Sequence, residues 1–154
     1  MTQLTDTLRL ATREDIPTLC EMSRKFFDAS PFAYWDYSAA KVEGILSAAL
    51  LDPKNYVLLA SVDGDKVVGF LAGTKQVPLF STDTVTIEIG WWLDPEYRDG
   101  RRAMELLDGY IEWAKLIGAK HVNMALMANP DHDVQKIMKL RSFKHSEQGF
   151  TMSL

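Results

Sequence analysis

Residues 98–103 carry the strongest chemical signal in the sequence, because they combine three arginines and a glycine at the start of a predicted helix. The apolar run before them predicts a buried strand, and Pro95 marks the turn between strand and helix. The first N–H groups of a helix have no partner inside it, so together they can bind an anion. Gly100, Arg101 and Arg102 therefore indicate an anion site, and a phosphate group suits it best.

Glu88 is the second candidate, since it is the only acid in the predicted strand 84–93. Burial raises the pKa of a carboxyl group, so Glu88 could act as a base near neutral pH. Recognition of substrate charge and a structural salt bridge are the alternatives. Strict alternation along the strand places Glu88 and Trp92 on one face, and Trp91 and Leu93 on the other.

A cluster of aromatic residues lies between the first two predicted helices, at Phe32, Tyr34, Trp35 and Tyr37. Such a loop can form the lid of a substrate pocket, where the ring faces would favour a cationic ligand. It can equally be a small hydrophobic cluster packed under a loop. The sequence leaves both interpretations open.

These residues need a scaffold of strands and helices, and hydrophobic periodicity predicts one in the order β-α-α-β-β-β-α-β-α-β-β. Asp63-Gly64-Asp65 indicates a hairpin turn, and Gly118 closes the helix that starts at Gly100. Because that helix joins two strands, strand 84–93 should lie beside strand 121–127 and parallel to it. The predicted strands are 8–12, 56–62, 66–76, 84–93, 121–127, 143–148 and 150–154.

At residues 93–103 the chain resembles the GCN5-related N-acetyltransferase superfamily. The family pattern here is apolar-x-Pro-Glu-Tyr, followed by Arg/Gln-x-x-Gly-x-Gly/Ala. The chain has Leu-Asp-Pro-Glu-Tyr at 93–97, and Arg98 and Ala103 fit the second part. Arg101 stands where the family has glycine, and the glycine of this chain comes one residue earlier, at Gly100. The order of predicted elements extends the resemblance to nearly the whole chain.

The resemblance implies an α/β (mixed α+β) fold in a single acetyltransferase-like domain over residues 1–154. The sheet would be mixed but mostly antiparallel, with six to seven strands flanked by about four helices. The implied activity is that of an N-acetyltransferase, an enzyme that moves an acetyl group from acetyl-CoA to an amine of a small molecule, peptide or protein. Acetyl-CoA would be the co-substrate.

By the same resemblance, the pyrophosphate of acetyl-CoA would bind the turn 98–103, and its pantetheine arm would bind the end of strand 84–93. The backbone N–H of Leu93 would receive the thioester carbonyl, and Glu88 would be the base. Cofactor-binding residues would be Trp91, Leu93, Arg98, Asp99, Gly100, Arg101, Arg102, Ala103 and Asn129. Residues that bind the acyl acceptor would be Phe32, Tyr34, Trp35 and Trp92.

Two positions depart from the family pattern after the last predicted helix begins. Met138 stands where the family has the tyrosine that protonates the leaving thiolate, and Ser142 stands where it has glycine. Asn129 and Phe143 match. The departures keep a second hypothesis open: a catalytically weak or inactive domain of this fold that senses acyl-CoA or binds a protein partner.

Composition and charge limit the partners, cellular compartment and cofactors that we expect. The chain has 154 residues, of which 47% are hydrophobic and 25% charged, as in ordinary soluble globular proteins. Its net charge of −4 disfavours nucleic acid as a partner and suits a cationic amine substrate. The lone Cys20 excludes an internal disulfide and indicates the cytoplasm, and neither a signal peptide nor a membrane span is expected. The three histidines lack metal-binding spacing, so no metal is expected; a homodimer is permitted.

Overall fold

A computed structural model describes residues 3–127 and 132–154 of the chain. Within these residues a six-stranded sheet is flanked by four α-helices. The strands are β1 (Gln3–Thr5), β2 (Leu8–Leu10), β3 (Tyr56–Asp63), β4 (Lys66–Gln76), β5 (Val85–Leu93) and β6 (His121–Asn123). The helices are α1 (Ile16–Asp28), α2 (Ala39–Leu51), α3 (Arg101–Leu116) and α4 (His132–Leu140). None of these helices is long and apolar enough to span a membrane.

The six strands lie side by side in chain order, and every neighbouring pair is antiparallel except β5 and β6. In that parallel pair, Val85 lies opposite His121 and Ile87 lies opposite Asn123. The crossover between the two strands is α3. This helix ends at Leu116, and Gly118 follows it with a positive φ of 74°. The predicted mixed, mostly antiparallel sheet is therefore confirmed, and so is its parallel pair.

The sheet separates two hydrophobic cores, because alternate residues of its central strands point to opposite faces. On the face covered by α3 and α4, here called the α3 face, the core includes Leu59, Leu71, Leu106 and Ile137. On the face covered by α1 and α2, here called the α1/α2 face, the core includes Leu19, Leu46, Leu58 and Phe70.

Three predicted details differ from the structure. Residues 3–5 add a first strand, and β6 ends at Asn123 instead of residue 127. The last two predicted strands, 143–148 and 150–154, which were expected to pair as a hairpin, are wrong, since residues 143–154 form no strand. Phe150 and Met152 alternate with polar residues as in a strand, but their side chains are exposed and cover no core. A hairpin without a buried face is only marginally stable, which explains the difference.

Candidate active site

A β-bulge in β5 decides which way Glu88 faces. Gly90 lies opposite Ala72 of β4, but Glu88 lies opposite the next residue, Gly73. Ile89 therefore has no partner of its own in β4, and it is the extra residue of the bulge. One extra residue reverses the alternation of side chains between the two sides of a bulge.

Because of the bulge, Glu88 lies on the α3 face together with Gly73, whose backbone the ring of Tyr110 from α3 directly covers. Trp91 also packs against the α3-face core, whereas Trp92 packs against the core of the α1/α2 face. The prediction that Glu88 and Trp92 share a face is therefore wrong. It assumed strict alternation, which holds only for a strand without a bulge.

β5 and β6 separate after Ile87 and Asn123, so a fork opens between the rest of β5 and residues 124–127. At the end of β5, the Asp94 N–H donates to the Val68 carbonyl at 2.9 Å. N–H groups alternate in direction along an antiparallel strand, so that of Leu93 is directed away from β4 and into the fork. The N–H of Trp91 has the same direction, and both expected backbone donors thus lie on one side of β5.

Glu88 lies at the inner end of the fork and is only 8% exposed. Burial raises the pKa of Glu88 to about 7, and the backbone N–H of Ala125 acts in the opposite direction. A carboxyl group with this pKa can both take up and release a proton near neutral pH.

The turn after β5 has its positive φ, 81°, at Gly100. Arg101 is the first residue of α3 and lies outside the left-handed region, so arginine there carries no steric cost. The turn therefore requires a glycine at position 100, where φ is positive, and not at position 101, where the family pattern has it.

Two of the three arginines in this turn are bound to the protein itself. Arg102 is buried, and its guanidinium donates to the Val62 carbonyl at 2.6 Å. Arg98 donates from Nε to the Leu93 carbonyl at 2.8 Å, and its guanidinium lies 4.6 Å from the centre of the Trp92 ring. Both side chains thus satisfy backbone carbonyls at the ends of strands.

Asp99 acts as a cap for α3, because its carboxylate accepts a hydrogen bond from the Arg102 N–H at 3.1 Å. A negative charge at this end of a helix is stabilising. The N–H groups of the first turn are those expected to bind a pyrophosphate, so Asp99 lies beside that site as a competing acceptor. Ala103 packs against the α3-face core.

Arg101 is the exposed cation of the turn. Its side chain is 64% exposed, and its Nε lies 3.8 Å from Glu105 Oε1. A cleft of about 290 Å³ lies between the start of α3 and α4, lined by Asp99, Gly100, Met104, Asp133, Lys136, Ile137 and Leu140. Lys136 is the cation among these lining residues, and Asp99 and Asp133 are the acids. The sequence holds no signal for Lys136, because a lysine on the polar face of a helix is ordinary.

Trp92 connects α1 to the end of β5. Its Nε1 donates to Asp94 Oδ1 at 3.1 Å, and Lys25 of α1 donates to the same oxygen at 3.1 Å. Asp94 is buried, so this pair of hydrogen bonds stabilises the contact between helix and strand. The structure thus places Trp92 in a helix contact, away from the face of Glu88.

Three rings of the aromatic loop, Phe32, Tyr34 and Trp35, pack on one another and stay exposed, whereas Tyr37 packs on Phe27 of α1. The rings of Phe32 and Trp35 are 4.5 Å apart, and Tyr34 meets Trp35 edge-on at 6.2 Å. Tyr34 and Trp35 are 60% and 50% exposed. Hydrogen bonding by the Ser153 side chain lowers the pKa of Tyr34. The rings of Phe32, Tyr34 and Trp35 are exposed to solvent and not buried beneath the loop.

The positions that depart from the family pattern have clear structural settings. Met138 is buried in the α3-face core and has no proton to donate. Ser142 has a φ of 61°, the left-handed region that favours glycine. Asn129 lies outside the described residues. Within residues 3–127 and 132–154, no group of three or more His, Cys, Asp or Glu side chains could hold a metal ion.

Comparison with known proteins identifies the class. A sequence model described as the acetyltransferase (GNAT) family matches residues 16–143. The chain therefore belongs to the acetyltransferase (GNAT) family. No curated protein matches it in sequence.

Solved structures of the same fold are distant in sequence. A transcriptional regulator from Bacillus halodurans C-125 has a TM-score of 0.77 at 21% identity, over 96% of this chain and 99% of that one. The aminoglycoside antibiotic 6'-N-acetyltransferase AAC(6')-IG from Acinetobacter haemolyticus has a TM-score of 0.72 at 17% identity, over 96% of this chain and 97% of that one. AAC(6')-Iy, in complex with the bisubstrate analogue CoA-S-monomethyl-acetylneamine, has a TM-score of 0.72 at 12% identity, over 96% of both chains.

Proposed function

We propose that the protein is an enzyme that transfers the acetyl group of acetyl-CoA to an amine, with Glu88 as the base. The supporting observation is the position of Glu88, whose buried carboxyl group has a pKa of about 7. It lies at the fork into which the N–H groups of Trp91 and Leu93 are directed. An amine is mostly protonated at neutral pH, and the ammonium form cannot attack a thioester.

In the proposed reaction, Glu88 takes the proton from the ammonium group, directly or through water, and the neutral amine attacks the thioester carbonyl. The Leu93 N–H donates to the carbonyl oxygen as negative charge develops on it. The nitrogen of the tetrahedral intermediate then loses its second proton to solvent, and the C–S bond breaks as the amide forms. The leaving thiolate receives its proton from solvent, because Met138 has none to give.

Acetyl-CoA would bind with its pyrophosphate at the first N–H groups of α3, with Arg101 and Lys136 as the cations. Arg98 and Arg102 would contribute by shaping the turn, since their guanidinium groups already bind backbone carbonyls. The exposure of Arg101 and the cleft beside Gly100 support this assignment. Membership of the family supports acetyl-CoA as the phosphorylated co-substrate.

The acceptor would be a cationic amine on an apolar or aromatic body, in a small molecule or peptide. The aromatic loop supplies exposed ring faces, which attract a cation, and Glu88 supplies one acid. By its name, AAC(6')-IG acetylates an amine of an aminoglycoside, so this fold has a precedent for a cationic amine acceptor, although that acceptor has a polar body.

The test is release of the CoA thiol from acetyl-CoA in the presence of a panel of amines. We expect release that depends on both the amine and Glu88. A second function, sensing of acyl-CoA without transfer, is favoured by the buried Met138, which stands where the family has a proton donor. Calorimetric binding of acetyl-CoA without thiol release for any amine would select that second function.

A further inference from the structure

Leu93, the last residue of β5, has two backbone polar groups on the side of the strand that faces away from β4. Its partner across the ladder is Gly69, and the next pair, Asp94 and Val68, is hydrogen-bonded through the Asp94 N–H at 2.9 Å. Hydrogen-bonded and non-hydrogen-bonded pairs alternate in an antiparallel ladder, so neither the N–H nor the carbonyl of Leu93 bonds to β4. The strand therefore offers a donor and an acceptor side by side at this residue.

Arg98 occupies the acceptor of that pair. Its Nε donates to the Leu93 carbonyl at 2.8 Å, the usual length of a charge-assisted hydrogen bond. Its guanidinium also lies 4.6 Å from the centre of the Trp92 ring, a cation–π contact that keeps it at the end of β5. The proposed reaction uses the Leu93 N–H and gives the Arg98 side chain no part beyond the shape of the turn.

Other contacts fix the strand end without occupying the Leu93 N–H. The Leu93 side chain lies directly over Gly69, where an added Cβ atom would collide with Leu93 Cδ2. The Asp94 carboxylate accepts from Trp92 Nε1 and from Lys25 Nζ of α1, both at 3.1 Å. These contacts hold the backbone in place, so the state of the Leu93 carbonyl is what Arg98 adds.

We propose that Arg98 is a positioning residue for the thioester of acetyl-CoA: by binding the Leu93 carbonyl, it leaves the Leu93 N–H as the backbone group of this residue that meets the thioester oxygen. A free carbonyl beside that N–H would repel the thioester oxygen as it becomes negative, and it would attract water or the amine instead. The effect on turnover rests on the proposed function, whereas the effect on bound acetyl-CoA requires only that acetyl-CoA binds at the fork.

The test compares Arg98→Met with Arg98→Gln. Glutamine carries an N–H donor at the same number of bonds from the backbone as the arginine Nε, and methionine carries a methyl group there. Acetyl-CoA labelled with carbon-13 at the thioester carbonyl reports its hydrogen bond by NMR, because a hydrogen bond polarises the carbonyl and moves the resonance downfield.

In Arg98→Met the resonance of bound acetyl-CoA should move towards that of free acetyl-CoA. The turnover number should fall about tenfold, which is less than the loss of an oxyanion donor itself would cause. Arg98→Gln should keep the wild-type resonance, with turnover within about threefold of the wild type. Arg13→Met, at an exposed arginine before α1, is the matched control and should change neither value.

An unchanged resonance in Arg98→Met would overturn the proposal, even if the variant were less stable. An equal effect in Arg98→Gln would also overturn it, since the charge and not the donor would then be responsible. Should Arg98→Met not fold, Arg98→Lys, which places a methylene at the position of Nε, must move the resonance in the same direction.

The two measurements also separate this role from the proposed function. Thiol release that depends on Glu88 but is equal in Arg98→Met and the wild type would uphold the proposed function and reject the role of Arg98. A shifted resonance in a protein that releases no thiol with any amine would uphold Arg98 as a positioning residue and reject transfer. A wild type that binds no acetyl-CoA would overturn both.

Discussion

The turn at 98–103 follows β5 in the chain, and the fork lies between β5 and residues 124–127. Two arginines of the turn bind the protein itself, whereas the polar groups of the fork are proposed to bind substrate. In the turn, the charged side chains of Arg98 and Arg102 bind backbone carbonyls of the protein. In the fork, backbone N–H groups of β5 are directed away from β4, and a carboxyl group is buried. Charged residues of a motif can therefore serve the fold, while the groups proposed for chemistry are backbone donors and one buried acid.

Leu93 joins the two regions, because the N–H and carbonyl of one residue in a strand point to the same side. Its carbonyl is bound by Arg98 at 2.8 Å, and its N–H is directed into the fork. The same comparison separates two neighbouring arginines. Arg101 is exposed at the start of α3, whereas Arg102 is buried against β3. Substitutions at Glu88, Arg101 and Arg102 should therefore separate effects on activity and binding from effects on stability.

The largest effect is expected from Glu88→Gln. Removal of the base should lower the turnover number by about 10²–10⁴-fold at neutral pH. In the wild type, activity should rise as the pH increases through about 7, because the ionised carboxylate is the active form and its pKa is about 7. The pH profile of turnover, measured for both proteins, checks the loss of activity in the variant and the rise with pH in the wild type. The rise should be absent from the variant.

Glu112→Gln is the matched control for that substitution, since Glu112 is an exposed glutamate of α3 paired with Lys115. It should leave turnover within about twofold, as for most surface substitutions. Equal turnover in Glu88→Gln and the wild type at every pH would remove Glu88 from the mechanism and leave the fork without a base.

Arg102→Ala should lower the free energy of unfolding by about 2–4 kcal/mol, because it leaves the buried Val62 carbonyl without its donor and opens a cavity. Arg101→Ala should change the same quantity by less than about 0.5 kcal/mol. Urea unfolding of the two variants compares them directly. If the two substitutions lower the free energy of unfolding equally, Arg102 is no more structural than Arg101.

Arg101→Glu should weaken acetyl-CoA binding by about 1–3 kcal/mol, the scale of a lost charge-assisted hydrogen bond together with charge repulsion. Calorimetry measures it, and the loss should shrink at high salt because Arg101 is exposed. Lys115→Glu reverses a charge at the other end of α3 and should leave the affinity nearly unchanged. An unaffected affinity in Arg101→Glu would assign Arg101 to solvent and leave Lys136 as the cation of the cleft.

The sequence predicts the elements well, because periodicity and turn residues such as Gly64 and Gly118 are local signals. The parallel pair follows from a helix that joins two strands. The bulge at Ile89 has no such signal, since isoleucine suits any strand, and this one residue changes the face of Glu88. The role of Arg102 was equally hidden, because its partner Val62 lies 40 residues away in the chain.

Local patterns also predicted too much. Phe150, Met152 and Leu154 alternate with polar residues, yet their side chains are exposed and residues 143–154 form no strand. A strand needs a partner and a covered face, and neither can be read from alternation alone. The backbone donors of the fork were predictable only through the resemblance, because every residue type carries an N–H group.

The smallest effect is expected from Trp35→Ala in the aromatic loop, which extends the comparison to a third region. If the exposed rings bind the acceptor, its KM should rise about three- to tenfold, the scale of one cation–π contact, while acetyl-CoA affinity stays within about twofold. Leu51→Ala, which truncates an exposed side chain at the end of α2, is the control. Since Trp35 is half exposed, its loss should cost little stability. A variant with lower stability and an unchanged KM would instead make the loop a packing element, and recognition of the acceptor would then belong to the fork alone.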